Sequence, residues 1–569
     1  MNNQEGDLLR HPSILQQIWK YKLHYVIVIP ALFFILTFKV WPFLYGFILS
    51  MKNYQPMHGI SDSEWVGFQN YISLLKNLDY RNVLSNTLAI KISYIVISGI
   101  TAFVIALALS GVRSNRLRQI FSTLFLIPFF IPSVVFASLA MLAVSPSKSP
   151  FVLGELFVLA DPELFSPFIV FIEIVKTSGI PVLIALAAIA YKHGAVSQQT
   201  GGLSLRQSNY ASMNIIPALR AVCAYMLLQT STLLSSDLEL ITSLLNPLVY
   251  QTGDIVDTYN FRMGFHQMNY SAAAASDMIR FCIQFVFTIA AYFAVKSLFS
   301  RDLFSRSSPE SKLHTPAKTS SIIGIVVAAF FAIIVLIPVY LLFIYPLTIA
   351  NPEPIAWLDT QVIWNTILQI FISFVSVIIF LLMTVTLAYP LTVENLPGRG
   401  LYKLFLLFAL VLGVNGIGEY MLFRNMEMIN TVFPQLVFGF FNLVSVFVLK
   451  SIFNSKYSNL KAEAERGGRG ELHTMFTLFI PKVWKPLLAL GVLQFVAIWN
   501  SYFISLLYIN NPEQFSALMR FMQISASAEG GSPSHLQMGA LIALPPLLLF
   551  LIFRKWLTAE VLISQIRKL

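Results

Sequence analysis

The sequence predicts an all-α, polytopic membrane protein of about twelve transmembrane helices in two six-helix halves. Three observations lead there. The 569 residues are 56% hydrophobic and only 11% charged, with a mean hydropathy of +0.71. Apolar windows of about 20 residues recur along the whole length, each able to cross a hydrocarbon core roughly 30 Å thick. The chain also repeats itself. Asn86-Thr87-Leu88 and Asn365-Thr366-Ile367 each open a long apolar run, and Ile216-Pro217 and Ile480-Pro481 each close a polar loop. Backbone groups in lipid must be satisfied within the segment, so the windows read as helices. The alternation of a barrel strand is absent.

In the first half the expected spans are Tyr25–Ser50, Thr87–Leu109, Ile120–Leu142, Phe165–Tyr191, Ile216–Ser235 and Ala272–Phe299. In the second they are Ile322–Ile349, Ile363–Leu391, Leu404–Leu422, Met428–Lys450, Lys485–Tyr508 and Gly539–Leu557. The first run is too long for the apolar stretch of a signal peptide and lacks a small-residue cleavage site after it. Lys52–Asn86, Asp237–Ser271 and Asn510–Gln537 read as external loops, and 192–215 and 454–480 as cytoplasmic ones. The polar, Ser- and Pro-containing stretch 301–320 reads as a cytoplasmic linker between domains 1–300 and 321–569. Two membrane halves imply a pathway at their shared interface, which makes transport the first hypothesis.

The formal charge is +11. The basic residues are spread over short loops: Arg113, Arg116 and Arg118 after the second span, Arg301 and Arg306 after the sixth, Lys461 and Arg466 after the tenth. That is the positive-inside pattern, and it places both termini in the cytoplasm of a cell-membrane protein. It argues against a nucleic-acid partner, which would need the charge gathered on one surface. The two cysteines, Cys223 and Cys282, fall inside spans and read as buried apolar side chains, with neither a disulfide framework nor a metal site implied. No G-x-x-x-x-G-K-[ST] phosphate loop occurs, so the chain holds no nucleotide or other cofactor of its own, and any ATP is used by a separate ATPase.

Several stretches carry a resemblance. Asn246–Asp277, NPLVYQTGDIVDTYNFRMGFHQMNYSAAAASD, and Tyr54–Tyr71 resemble the permeases of binding-protein-dependent ABC importers for oligosaccharides and complex glycans. The second half is similar to the partner permease of such systems through Asn365–Leu391, Leu396-Pro397-Gly398-Arg399, the loop from Glu463 to Pro481, and Trp499-Asn500-Ser501. The resemblance implies two type I ABC permease domains fused in tandem. It also implies two cytoplasmic ABC ATPase subunits, an extracellular solute-binding protein and a sugar cargo.

In that family a cytoplasmic loop docks on the ATPase as a short helix. Carried onto this chain, the loop is Glu463, Ala464, Gly468, Glu471 and Pro481, with Gly202, Arg206 and Pro217 as its first-half counterpart. The first-half copy is eroded, since no acid lies between Glu173 and Asp237. Ordinary drift explains this if the other half does most of the coupling; weak docking through Arg206, or loss of coupling, would also explain it.

Ionisable groups inside spans are costly. Glu173 and Lys176, and likewise Asp277 and Arg280, lie three apart and are expected to pair along one helix face. Lys39 and Lys91 are expected to snorkel outwards. Asn415, Glu419 and Tyr420, with Trp499, Asn500 and Tyr502, offer the aromatic faces and hydrogen-bonding groups that a sugar needs, and are candidates for the substrate path. The same residue types also serve helix–helix hydrogen bonding. Nothing points to covalent catalysis, so the chain is expected not to be an enzyme. Two rivals remain. An ion-driven secondary transporter can also have twelve helices in two halves. A non-transporting receptor or scaffold would fit the eroded loop.

Overall fold

The computed structural model describes residues 18–568 except 20, 147, 152–156, 201–209, 299–317, 349–359, 394–395, 413–415, 468–469 and 527–530. It is an all-α polytopic membrane protein. Before residue 299 the elements used below are α1 (Lys22–Ser50), α2 (Leu78–Ser110), α3 (Asn115–Leu124), α4 (Ser133–Val144), α5 (Pro162–Thr177), α6 (Gly179–Thr200), α7 (Ala211–Thr232), α8 (Leu238–Leu244), α9 (Val256–Phe261) and α10 (Tyr270–Leu298). After residue 317 they are α11 (Lys318–Phe343), α12 (Thr360–Ala388), α13 (Arg399–Val411), α14 (Ile417–Asn425), α15 (Leu443–Arg466), α16 (Glu471–Trp499), α17 (Phe503–Tyr508), α18 (Ala517–Ser525) and α19 (Pro533–Phe553). A small ladder, β1 (Lys52–Asn53) against β2 (Glu64–Trp65), sits between α1 and α2.

Among the described residues, ten helices are long and apolar enough to cross a membrane, or eleven if one bent pair is a single span. Three of the expected runs are broken rather than continuous helices, each break marked by Gly or Pro. The run Ile120–Leu142 bends by 100° around Ile131-Pro132. The run Phe165–Tyr191 breaks between α5 and α6 at Ser178, where Gly179 lies against the Phe125 backbone. The run Leu404–Leu422 divides into α13 and α14, with Gly416 as the N-cap of the second. The third apolar run of each half is therefore interrupted. Glycine and proline weaken a helix interior, and such interruptions persist in a membrane protein where they are buried in protein or line a cavity.

The repeated Ile-Pro signature marks a shared backbone device. Ala211–Ile215 and Met475–Phe479 each form a five-residue π-helical turn ending just before Ile216-Pro217 and Ile480-Pro481. Leu36–Val40 does the same before Trp41-Pro42. Proline has no N–H to give to the carbonyl four residues back, and its ring crowds that carbonyl. Widening the preceding turn relieves the clash while the helix continues.

The repeated Asn-Thr signature also does one job twice. Asn86 Nδ2 donates to the Gln251 and Asp254 carbonyls at 2.9 and 3.4 Å. Asn365 Nδ2 donates to the Glu513 and Phe515 carbonyls at 2.5 and 3.2 Å. In each half the amide ties the start of the second long helix to a later connecting segment.

The first helix of each half packs on the other half. α1 lies along α12 and α14, with Tyr25 Oη donating to the Pro397 carbonyl at 2.8 Å and Phe38 stacked near Phe423. α11 lies along α2, α3 and α4, with Ser321 Oγ accepting from the Arg113 N–H at 3.1 Å and Phe331 set edge-on to Phe125. Both crossings depend on glycine. A Cβ at Gly418 would overlap the Pro42 carbonyl of α1, and one at Gly324 would overlap the Ala108 carbonyl of α2. Small residues at a crossing let two backbones approach, which is how helices associate in lipid. On α11 the small Ala328 and Ala332 face inward, while Ile322, Val326, Phe330 and Ile333 are exposed outward. Both cysteines are free, and Cys282 is exposed and Cys223 half-buried, so the expectation that they are core side chains is corrected.

Candidate functional site

The stretch 237–271, expected as an external loop, folds instead into short helices packed among the long ones. Asp237 caps α8 by accepting from the Leu240 N–H at 3.1 Å, and Ile255, Val256 and Asp257 are buried at the start of α9. A segment this polar stays inside only because its charges are paired. Arg280 of α10 binds both Asp257 and Asp277, the latter at 3.0 Å. Asn260 Nδ2 adds a 2.9 Å bond to Asp277, and Ser236 N–H one of 3.3 Å to Asp257. Arg262 pairs with Asp254 at 2.5 Å.

The expected Asp277–Arg280 pair is therefore present, widened to a third member. The expected Glu173–Lys176 pair is not. Although the two share a helix, Lys176 bonds Asp237 at 2.5 Å and Ser133, and Glu173 faces Lys91 at 3.5 Å. Partners on neighbouring elements offered better geometry than a residue three positions along the same helix. Lys91 does not snorkel: it is fully buried beside the Tyr94 ring. Lys39 does not either; its ammonium lies 5.6 Å from the centre of the Phe441 ring.

These groups surround a cavity of about 380 Å³ whose wall comes from both halves of the chain. The first half supplies Ser133, Glu173, Lys176, Asp237 and Glu239, and the second supplies Phe438, Phe441, Gln494, Asn500 and Ser501. Glu239 spans the seam. Its Oε1 accepts from Ser501 Oγ at 2.8 Å and from the Phe503 N–H at 3.2 Å, at the start of α17. Asn500 Nδ2 crosses the other way to the Phe130 carbonyl, at 3.4 Å. A mostly apolar wall with phenyl rings and a few hydrogen-bonding groups has the composition of a site for a hydroxylated ligand.

Of the residues proposed from the sequence for the substrate path, Asn500 lines this cavity. Glu419 lines a smaller neighbouring cavity of about 60 Å³ beside Asp277 and Arg280. Trp499 turns away, donating from Nε1 to the Ile542 carbonyl at 3.0 Å. Tyr502 is buried against Phe503, and Tyr420 packs between Phe265 and Tyr508. Asn415 lies outside the described residues. Sequence reasoning missed Glu239, Asp237 and Asp257 because it placed them in a loop. The signal was available in part: Lys176 and Arg280 in neighbouring apolar segments need acids, and Asp237 and Asp257 supply them.

At the far end of α15 and α16, Glu463 is exposed, Ala464 is buried and Pro481 is exposed at the head of the helix after the π turn. Glu471 meets His24 Nδ1 of α1 at 2.5 Å, and its carbonyl accepts from Tyr389 Oη at 3.0 Å. Pro217 is half-buried at the start of its own helix. Gly202, Arg206 and Gly468 lie outside the described residues.

No protein-family model matches the chain. It is 26% identical to the protein LplB of Bacillus subtilis over 294 residues, covering 49% of this chain and 90% of LplB. It is also 26% identical to the polygalacturonan/rhamnogalacturonan transport system permease protein YteP of Bacillus subtilis, over 50% of this chain and 90% of YteP. Among solved structures, a chain of a bacterial alginate ABC transporter in complex with an alginate pentasaccharide-bound periplasmic protein aligns over 51% of this chain and 99% of its own, with 20% identity and a TM-score of 0.43. Relatives matched over nearly their whole length yet over half of this chain fit a tandem of two such units, and the chain is a homologue of the carbohydrate-type ABC transporter permeases.

Proposed function

We propose that this chain is the complete transmembrane path of an ABC importer for oligosaccharides or glycan fragments, formed by permease domains 1–300 and 321–569 joined through the linker 301–320. The observation that carries the reading is the cavity, with its cluster of charged and hydrogen-bonding groups on an apolar wall, between two halves that share their backbone devices. A single chain then supplies the interface that two separate permeases would build together. An extracellular solute-binding protein delivers the sugar, and two cytoplasmic ABC ATPase subunits drive alternating access.

The ATPases dock at the end of the molecule that carries Glu463, Ala464, Gly468, Glu471 and Pro481, with Gly202, Arg206 and Pro217 on the first-half side. That end is cytoplasmic and both termini lie there. Closure of the ATPases moves α16 through the segment Glu471–Phe479. His24 and Tyr25 of α1 bear on the same end, so the first half moves with it. Asn500 lines the path; Glu419, Tyr420, Trp499 and Tyr502 surround or support it, and Asn415 remains a sequence candidate for the same path.

Energy coupling tests this. Uptake of labelled oligosaccharides by cells carrying the chain and its partners is expected to stop on ATP depletion and to persist with an uncoupler. The reverse pattern identifies an ion-driven secondary transporter. Partner binding without any flux identifies a receptor.

A further inference from the structure

We propose that the cavity selects uncharged sugar chains and rejects uronate chains, an inference that rests on the cavity being the sugar's path. A uronate chain brings one carboxylate per acidic ring. To enter, each needs a cation with capacity to spare, because a carboxylate taken out of water without a partner is strongly disfavoured. Two of the wall's three cations are spent on its own carboxylates, and the third, Lys39, sits with its ammonium 5.6 Å from the centre of the Phe441 ring. Lys176 is committed to Asp237 and Ser133, and Arg280 to Asp257 and Asp277. Behind the wall, Lys91 is committed to Glu173. Among the described lining residues, four carboxylates stand against three cations. The fourth carboxylate, Glu239, is held by a hydroxyl and a backbone N–H rather than by a cation.

The groups left over point the same way. Glu173 is 1% exposed, and its Oε2 has no hydrogen-bond partner. Asn500 directs its amide N–H to the Phe130 carbonyl, which leaves Oδ1 without a partner. Both unmet atoms are acceptors. Both lie just behind the surface of the wall, where they add negative potential around the cavity and no cation. Phe129 and Phe503 also line the cavity and give the C–H faces of a neutral ring an apolar surface.

The test compares one chain with and without its charge. Cells carrying the full system are given labelled pentagalacturonate or its methyl ester, and initial uptake is expressed as an ester-to-acid ratio. The wild type is expected to favour the ester by at least about tenfold, since like charges brought together cost several kcal/mol. Two variants separate the cavity from any upstream binding protein, whose preference is the same in every strain. Asn500→Arg adds a cation to the acceptor wall, and Glu239→Gln removes a charge at constant volume. Each is expected to lower the ratio at least about threefold. Should one variant fail to carry the ester, the other decides, and should both fail, the wild-type uptake ratio divided by the purified binding protein's own ester-to-acid affinity ratio decides. Acid carried as fast as ester overturns the inference, as does a ratio unmoved in a variant that still carries ester. Uptake of neither sugar, nor of neutral arabinopentaose, removes the transport reading beneath it, a failure distinct from the wrong preference.

Discussion

Replacing Arg280 by Met is expected to prevent the first half from holding its fold. Arg280 is the only side chain found between Asp257 and Asp277 among the described ion pairs, and it binds both. Without it, two largely buried carboxylates face each other with no counter-charge. Breaking a buried pair in this way costs about 3–5 kcal/mol, against a total stability of about 5–15 kcal/mol for an ordinary domain. Fluorescence-detected gel filtration of detergent extracts should show little monodisperse Arg280→Met protein, with the surviving fraction melting earlier than wild type. Arg280→Lys restores a charge without the two-pronged fork and should recover only part of the loss. The triple change Asp257→Asn, Asp277→Asn, Arg280→Met removes all three charges and should recover more than Arg280→Met alone. If the single variant behaves as wild type, the triad is not what keeps 237–271 inside the protein.

The second large effect concerns the exchange of first helices. Because α1 packs on the second half and α11 on the first, the halves should stay together without a covalent link. Chains 1–308 and 309–569, co-expressed, are expected to co-purify. Gly324→Val and Gly418→Val each force side-chain atoms into a facing backbone carbonyl, at about 1–3 kcal/mol per overpacked site. The two crossings involve different helices, so the costs should add. At 1.4 kcal/mol per factor of ten, the double variant should weaken recovery of the split pair by about tenfold or more. In the fused chain the same changes should be milder, since the linker keeps the halves at high effective concentration. A split pair that resists both substitutions would contradict the exchange.

Much of this architecture was legible in the sequence. The Asn-Thr and Ile-Pro repeats were visible as letters, and the structure gives each a physical role, as a tie to a later segment and as a proline-relieved π turn. Hydropathy located the long helices because burial in lipid leaves an unmistakable run. It failed at Ile120–Leu142 and Leu404–Leu422, where a window average passes over Pro132 and Gly416. Charge pairing was the least legible feature. Spacing along one helix suggested Glu173–Lys176, but a buried ion is settled by whichever partner tertiary packing brings closest, here Asp237 and Lys91. The same limit hid Glu239, whose hydrogen bonds run to residues more than 250 positions away.

The central claim is that one chain does the work of two permeases and is driven by separate ATPases. Purifying it gently from its native membrane, and measuring which proteins stay bound and in what ratio, tests that claim most directly. The account predicts a cytoplasmic ABC ATPase at two copies per chain, docked at the end that carries Glu463 and Pro481. Absence of any ATPase, under conditions that preserve a control ABC complex, would contradict it.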